Sequence, residues 1–290
     1  MALRHAVREH GGIRAAARAL NIPKATFHEQ LEKETGGLKK VVAIGDAHDE
    51  FGRCKERFKW LGHFTADCDP DAVIQIGDWA GLKSLSAHEA RGSKADRDAP
   101  TYAQDLESLE ESLWLFDQGC PREIGIERHI TLGNHEYRAN RAAENDPRHM
   151  EDAPDRLEIL FRNRDWKVTP YMEWLFYSGV GFTHIPTNRM GRAVGGKNVS
   201  STIANETTHS IVHGHNHIFS MRTFPKIGAR KQIQILGLGT AMPDQLVEKY
   251  TPQTSPSGWS YGALELGIDR AGDIVSHQFI SMRELEARYA

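Results

Sequence analysis

Cysteine is scarce in this chain. The three thiols, Cys54, Cys68 and Cys120, are too few and too scattered for a disulfide framework. None forms a C-x-x-C pair that would hold a metal through sulfur. The expectation is reduced thiols in a cytosolic protein. Long apolar runs are missing as well: no uninterrupted stretch approaches the roughly 20 residues of a membrane span. The first residues, Met1-Ala-Leu-Arg-His-Ala-Val-Arg8, carry charge where an export signal needs an apolar stretch. A soluble, cytoplasmic protein with no membrane partner is therefore expected. Internal repeats and low-complexity tracts are lacking too. So is a strong net charge; at −3, bulk charge names no partner.

What is present is unevenly placed. Residues 1–40 hold eight Lys/Arg against four Glu, a balance of +4, which leaves −7 for the rest of the 290-residue chain. A basic appendage on an acidic body points to anion binding. Its apolar residues recur at helical spacing: Leu3, Ala6 and Val7, then Ile13, Ala16, Ala17 and Leu20. Gly11-Gly12 separates a first helix from a second, Asn21 suits a left-handed turn, and Pro23 opens a third helix reaching about Glu34. Phe27 and Leu31 form the inner face of that third helix. Residues 13–31 resemble a helix-turn-helix of bacterial regulator type, which places its second helix in the DNA major groove. The resemblance implies base contacts from Lys24, Thr26, His28 and Gln30, and phosphate contacts from Arg14 and Arg18. Against DNA stand Glu29, Glu32 and Glu34, which make the far end of the helix acidic. Such three-helix units also bind proteins or cap a fold. The expected division is a module over residues 1–37 and a catalytic domain over 38–290. Nothing in the sequence enforces an oligomeric state.

From Leu38 onward, short apolar runs at 41–44, 72–76, 129–132, 174–183, 211–212, 233–238, 262–268 and 274–280 read as strands. Helical patterns lie between them, roughly at 50–64, 104–118 and 154–163. Alternating strands and helices imply a layered α/β domain. Residues 79–103 and 186–199 are polar and read as irregular loops.

Five of the runs stop at a residue competent to bind metal: Gly45-Asp46-Ala47-His48, Gly77-Asp78, Gly133-Asn134-His135-Glu136, Thr183-His184 and Gly214-His215-Asn216-His217. Singly each is weak, since a Gly-Asp pair arises by chance and a lone His is commonly a packing residue. Jointly, each after an apolar run, they mark the carboxyl ends of strands, where open α/β sheets gather ligands. The glycines are expected to turn the backbone so that the next side chain points inward. Carboxylate, amide oxygen and imidazole suit Mn²⁺, Fe²⁺ or Zn²⁺.

These motifs resemble the calcineurin-like metallophosphoesterase superfamily, over roughly residues 40–280. The resemblance implies a four-layer α/β/β/α sandwich holding two divalent metal ions, most naturally Mn²⁺, with Fe²⁺ or Zn²⁺ as alternatives. It implies Asp46, His48 and His217 on one ion, Asn134, His184 and His215 on the other, and Asp78 bridging. It implies attack by a hydroxide shared between the ions, with His135 stabilising the phosphoryl oxygens and protonating the leaving group. Two departures alter the rim of the site. Asp49-Glu50 follow the first motif where the family often has Gly. The second motif often continues to another acid, and here it reads Gly77-Asp78-Trp79-Ala80-Gly81.

Further residues carry weaker readings. Arg138 and Arg192 are candidate substrate-phosphate contacts, with Arg189 and Lys197 beside the latter, though solvated loop charge is the commoner role. Trp79 is a candidate base-stacking residue or a packing residue. His213 reads as packing or as a partner of the ligands. Three functions follow: a nuclease or DNA-end-processing phosphodiesterase with DNA as partner; a phosphomonoesterase acting on phosphoprotein or nucleotide; or an inactive DNA-binding regulator. The complete ligand set speaks against the last.

Overall fold

The computed structural model describes residues 2–10, 13–87, 92–228, 232–247 and 258–290. Three short helices come first: α1 (Ala2–Glu9), α2 (Ile13–Ala19) and α3 (Lys24–Thr35). Ala6, Ala16, Ala17 and Phe27 form their small core, with Leu3, Val7, Ile13, Ile22 and Leu31 against it. Asn21 takes the left-handed conformation, φ 54°, that its short polar side chain tolerates. Leu20, expected on the inner face, is instead exposed, because the helix ends at Ala19 before its side chain can turn inward. Gly11 and Gly12, expected to separate the first two helices, lie outside the described residues.

The chain then enters β1 (Lys39–Ile44) and passes through α4 (Glu56–Cys68) to β2 (Ala72–Gln75). The short α5 (Lys94–Arg97) and long α6 (Tyr102–Gly119) lead to β3 (Glu127–Thr131). Three helices follow, α7 (Tyr137–Asn145), α8 (Pro147–Met150) and α9 (Ala153–Arg162), and then β4 (Trp166–Thr169). β5 (Leu175–Tyr177), β6 (Val180–Thr183), α10 (Val199–Glu206), β7 (Ile211–His213), β8 (Phe219–Pro225) and β9 (Gln232–Leu238) build a second sheet. β10 (Gly262–Ile268), β11 (Ile274–Ser281) and α11 (Met282–Tyr289) return to the first.

The first sheet has the order β11-β10-β1-β2-β3-β4, with β1 to β4 parallel; the second has the order β5-β6-β7-β9-β8, with β6, β7 and β9 parallel. Parallel strands covered on both faces read as unbroken apolar runs, and β1 shows why. Val41 and Ala43 point between the sheets, toward Phe182, Val212 and Leu236. Val42 and Ile44 point the other way, toward Phe58, Leu61, Leu113 and Phe116 on α4 and α6. A third apolar cluster seats α10 on the outer face of the second sheet through Val199, Ile203, Ile211 and Ile235. The result is the expected order of layers, helix, sheet, sheet, helix.

Several local expectations change. The run at 174–183 is a hairpin, β5 and β6, folded at Ser178-Gly179, where both residues have positive φ. The helix expected from residue 50 starts at Glu56, after a loop in which Gly52 has φ 77°. Residues 79–82 are buried rather than forming a surface loop, and α10 opens at the end of the second irregular stretch. Strands β4 and β8 lie beyond the sequence expectations, as do helices α7 and α11, which hold few large apolar residues. No helix among the described residues is long and apolar enough to cross a membrane. Cys54, Cys68 and Cys120 are all free.

Candidate metal centre

The five motifs converge at the carboxyl ends of β1, β2, β3, β6 and β7. The pairing of strands makes this unavoidable: β1, β2 and β3 are parallel neighbours, β6 and β7 are parallel neighbours, and the sheets face each other. Asp46, His48, Asp78, His184 and His217 are buried, whereas His215 is exposed and Asn134 and His135 lie between. The cluster therefore opens to solvent on the His215 side.

Three groups have ligand atoms within 4.8 Å of one another: Asp46, His48 and His217; His48, Asp78 and His135; Asp78, His184 and His215. In the first, Asp46 Oδ2 lies 2.9 Å from His217 Nε2, which lies 3.1 Å from His48 Nε2. In the last, His184 Nε2 lies 2.9 Å from Asn134 Oδ1, 3.2 Å from His215 Nδ1 and 3.3 Å from Asp78 Oδ2. His184 Nδ1 faces the Ile76 carbonyl at 3.0 Å and so carries that ring's proton. Its Nε2 is then a bare lone pair crowded against an amide oxygen and a carboxylate. A divalent ion placed among them would relieve that crowding, so this donor set fits one. Asp46 Oδ1 and the Nδ1 atoms of His48 and His217 are buried without a hydrogen-bond partner.

Charge tells the same story. Burial drives the imidazoles of His48 and His135 well below the usual histidine range, helped by their positive neighbours. Burial, then His184, pushes His215 down to about 4. Burial, then Glu136 and Asp46, lifts the Asp78 carboxyl well above the carboxylate range. Burial also acts to raise Asp46, but His184 and His217 outweigh it and its carboxyl is lowered. Imidazoles whose charging burial opposes, beside a carboxyl whose ionisation burial opposes, form a site that a cation would stabilise.

The backbone around the cluster is strained at the side chains themselves. His48, Asp78, His215 and His217 have φ between 45° and 71°, in the left-handed region that non-glycine residues avoid. This corrects the expectation for the preceding glycines. Gly77 does turn, with φ 92°, but Gly133 has no positive φ. It is required for close approach: a Cβ there would collide with the Asp78 carboxylate and backbone. Glu136, the last residue of the third motif, was not singled out as functional by sequence reasoning. Its buried carboxylate accepts N–H bonds from Asp78 (2.9 Å), Ala80 (2.8 Å) and Gly133 (2.8 Å), tying the β2 and β3 loops together. The acid after Asn-His was its only signal.

The other candidates have different surroundings. Trp79 is fully buried, stacked on Phe58 with its Nε1 donating to Ser112 Oγ, and cannot meet a substrate. Trp259, unremarked in a polar stretch of the sequence, takes its place near the cluster, its ring centroid 4.3 Å from that of His217. His213 is buried, Nδ1 donating to the Gly214 carbonyl. Arg138 is buried beside His135. Arg192 is exposed on the 186–198 loop, where its backbone N–H bonds to Asn188 Oδ1. Arg189 pairs with Glu206 at 3.5 Å, and Lys197 is exposed. In the module, Arg14, Arg18, Lys24, Thr26 and Gln30 are exposed. His28 lines a cavity of about 650 Å³ between the module and the catalytic body, together with Arg4, Lys39 and Asp71.

Among solved structures, the fold is similar to a Pseudomonas putida nuclease, MPE, at 14% identity, covering 75% of this chain and 84% of that one with a TM-score of 0.35. It is similar to Yfce, an E. coli phosphoesterase, at 14% identity, 83% and 100% coverage and a TM-score of 0.33. It is also similar to Vps29 of Entamoeba histolytica, solved with zinc, at 12% identity, 84% and 99% coverage and a TM-score of 0.35. No curated protein matches the chain. The family model for calcineurin-like phosphoesterases matches residues 39–224, well over half the chain and all the clustered motifs, so the protein belongs to that family of metal-dependent hydrolases.

Proposed function

We propose that this protein hydrolyses phosphodiester bonds, with nucleic acid as the substrate class, using two divalent ions, most naturally Mn²⁺ with Fe²⁺ or Zn²⁺ as alternatives. One observation carries the two-ion reading. Asp78 Oδ2 is a single carboxylate oxygen within reach of both groups, 3.9 Å from His48 Nε2 and 3.3 Å from His184 Nε2. Asp46, His48 and His217 would hold one ion, Asn134, His184 and His215 the other, and Asp78 both. The chemistry such a pair supplies when bound is activation of water and neutralisation of charge on phosphorus.

The chain's own residues do the rest. Glu136 fixes the two loops that carry Asp78 and Asn134. The Asp46 carboxylate accepts the His215 backbone N–H at 2.9 Å, holding the last motif to the first. His135, on the solvent side of Asp78, is the side chain placed to meet the phosphoryl oxygens and the leaving group. Trp259 at the rim offers an aromatic face to a base or aryl group.

The nucleic-acid reading is supported by the basic module and the exposure of Arg14, Arg18, Lys24, Thr26 and Gln30. The module sits on the amino ends of the strands, where Arg4 pairs with Asp71 just before β2. The cluster lies at the other ends, about 20 Å away at 3.3 Å per strand residue. DNA on the outer face of α3 would be tethered to the enzyme rather than fed straight into the site. His28, exposed as well, also borders the cleft between the module and the body. The test offers purified protein with Mn²⁺ an aryl phosphomonoester, an aryl phosphodiester, and single- and double-stranded DNA. Diester and DNA cleavage are expected. Monoester preference with intact DNA would replace the reading with a phosphomonoesterase, and no turnover with any divalent metal would favour an inactive regulator.

A further inference from the structure

The two departures from the family's motifs lie against each other. The Gly81 N–H donates to the Asp49 carbonyl at 2.7 Å, and a Cβ at position 81 would sit 2.8 Å from that oxygen and 3.1 Å from Glu50 Cγ. No carboxylate fits at position 81 while the first motif's loop runs as it does. What faces the His135 ring there is main chain: Nδ1 lies 3.0 Å from the Gly81 carbonyl. A carbonyl only accepts, so Nδ1 carries the ring proton.

A second group completes the arrangement. The buried Arg138 guanidinium donates through Nη1 to the same Gly81 carbonyl at 2.8 Å, and its Nη2 lies 3.2 Å from His135 Nε2. Guanidinium nitrogens only donate, so Nε2 presents its lone pair. Both ring nitrogens of the resting, metal-free chain are thereby assigned by what faces them; to protonate a leaving group the ring must first take a proton on Nε2, so Arg138 orients it in the form that precedes that step. The ring stands with Nε2 3.9 Å from Asp78 Oδ2 and its centroid 4.5 Å from that of His48.

We propose that Arg138 is a positioning residue for the hydrolysis, fixing the tautomer and orientation of His135 directly and through the Gly81 carbonyl that both contact. The assignment rests on the phosphoesterase reading for its kinetic consequences, but not for its structural ones. It recasts Arg138, whose fork suits substrate phosphate in principle, as a group already committed to the ring and the loop.

The test uses the full chain. In metal-free protein labelled with ¹⁵N-histidine, NMR shifts of His135 should show a proton on Nδ1 and none on Nε2. The Arg138→Met variant should lose that single tautomer. With Mn²⁺ and an aryl phosphodiester, Arg138→Met should lower kcat about 10- to 100-fold with KM within about threefold, and Arg138→Lys should recover part of the loss. In a His135→Asn background, Arg138→Met should add little, because two residues acting as a unit are not additive. An Nε2–H tautomer in the unaltered protein overturns the proposal even if no variant folds. So do unchanged His135 shifts in Arg138→Met, a raised KM at unchanged kcat, or additive losses in the double variant. Absence of turnover in the unaltered protein would sink the phosphoesterase reading alone, leaving the NMR result to decide the role of Arg138.

Discussion

The two ends of the first sheet make opposite use of charge. At the carboxyl ends, ionisable side chains from five loops are buried, held by main-chain bonds and packed so tightly that acceptors confront acceptors. At the amino ends, the module presents arginine, lysine and glutamine to solvent, and Arg4 ties it to the body through Asp71. The contrast teaches what each region can say about itself. A buried cluster of acceptors points to its occupant by its own chemistry, since a cation relieves it. An exposed set of donors admits DNA, a protein or water, and its partner must be found by experiment.

That contrast can be broken hardest at Asp78. Asp78→Ala removes the one oxygen shared by both groups. It should lower turnover by about a thousandfold or more and reduce bound metal from two ions to at most one, while leaving the far-UV spectrum unchanged. Two ions retained with normal activity would show that the carboxylate does not bridge.

A smaller effect is expected one layer out. Glu136→Gln keeps the shape of the brace but removes its charge. Metal affinity, measured by calorimetry, should fall about 10- to 100-fold, the range typical for residues that support ligands. Affinity within twofold of the parent would mean the loops hold without it.

The third effect concerns pH. Burial raises the Asp49 carboxyl to about 6, with Ser108 Oγ donating to Oδ2 at 2.7 Å while Oδ1 has no hydrogen-bond partner. A carboxyl raised in the folded state favours folding below its unfolded value near 4, and that advantage is lost as pH climbs through 6. Asp49→Asn should therefore flatten the pH dependence of metal-free stability, gaining on the parent between pH 4 and pH 7 by at most roughly 3 kcal/mol, the equivalent of about two pH units. Denaturant melts at both pH values decide it, and a parallel profile would place the Asp49 value elsewhere.

The smallest effect on catalysis belongs to the other end. Replacing Arg14 and Arg18 together with alanine should leave hydrolysis of a small aryl ester within about twofold. It should weaken DNA binding and lower the log–log salt slope by about 2, one counterion per lost phosphate contact. An unchanged slope would move the module's role to protein contact or capping.

The layers of the catalytic domain were legible because buried parallel strands must be apolar on both faces, and Val41 to Ile44 or Ala72 to Ile76 advertise that directly. The clustered side chains were legible because each follows such a run. Elements with little apolar signal were not. Helix α7 begins in the third motif and is made largely of Arg, Ala, Asn and Glu. The 174–183 run concealed a hairpin because Ser178-Gly179 is brief. Trp79 and Trp259 could not be told apart, since one sits after a motif and the other in a polar stretch, and only packing buries the first.

What the sequence determined by itself was the chemistry: which ligand-bearing residues exist, and that they end strands. Tertiary structure alone decided how they meet. The sheets bring His184 Nε2 within 3.3 Å of Asp78 Oδ2 across a separation of 106 residues. The Asp49 carbonyl bars a side chain from position 81 and hands His135 to main chain and Arg138. Such distances depend on packing between segments remote in sequence, which no local pattern of residues encodes.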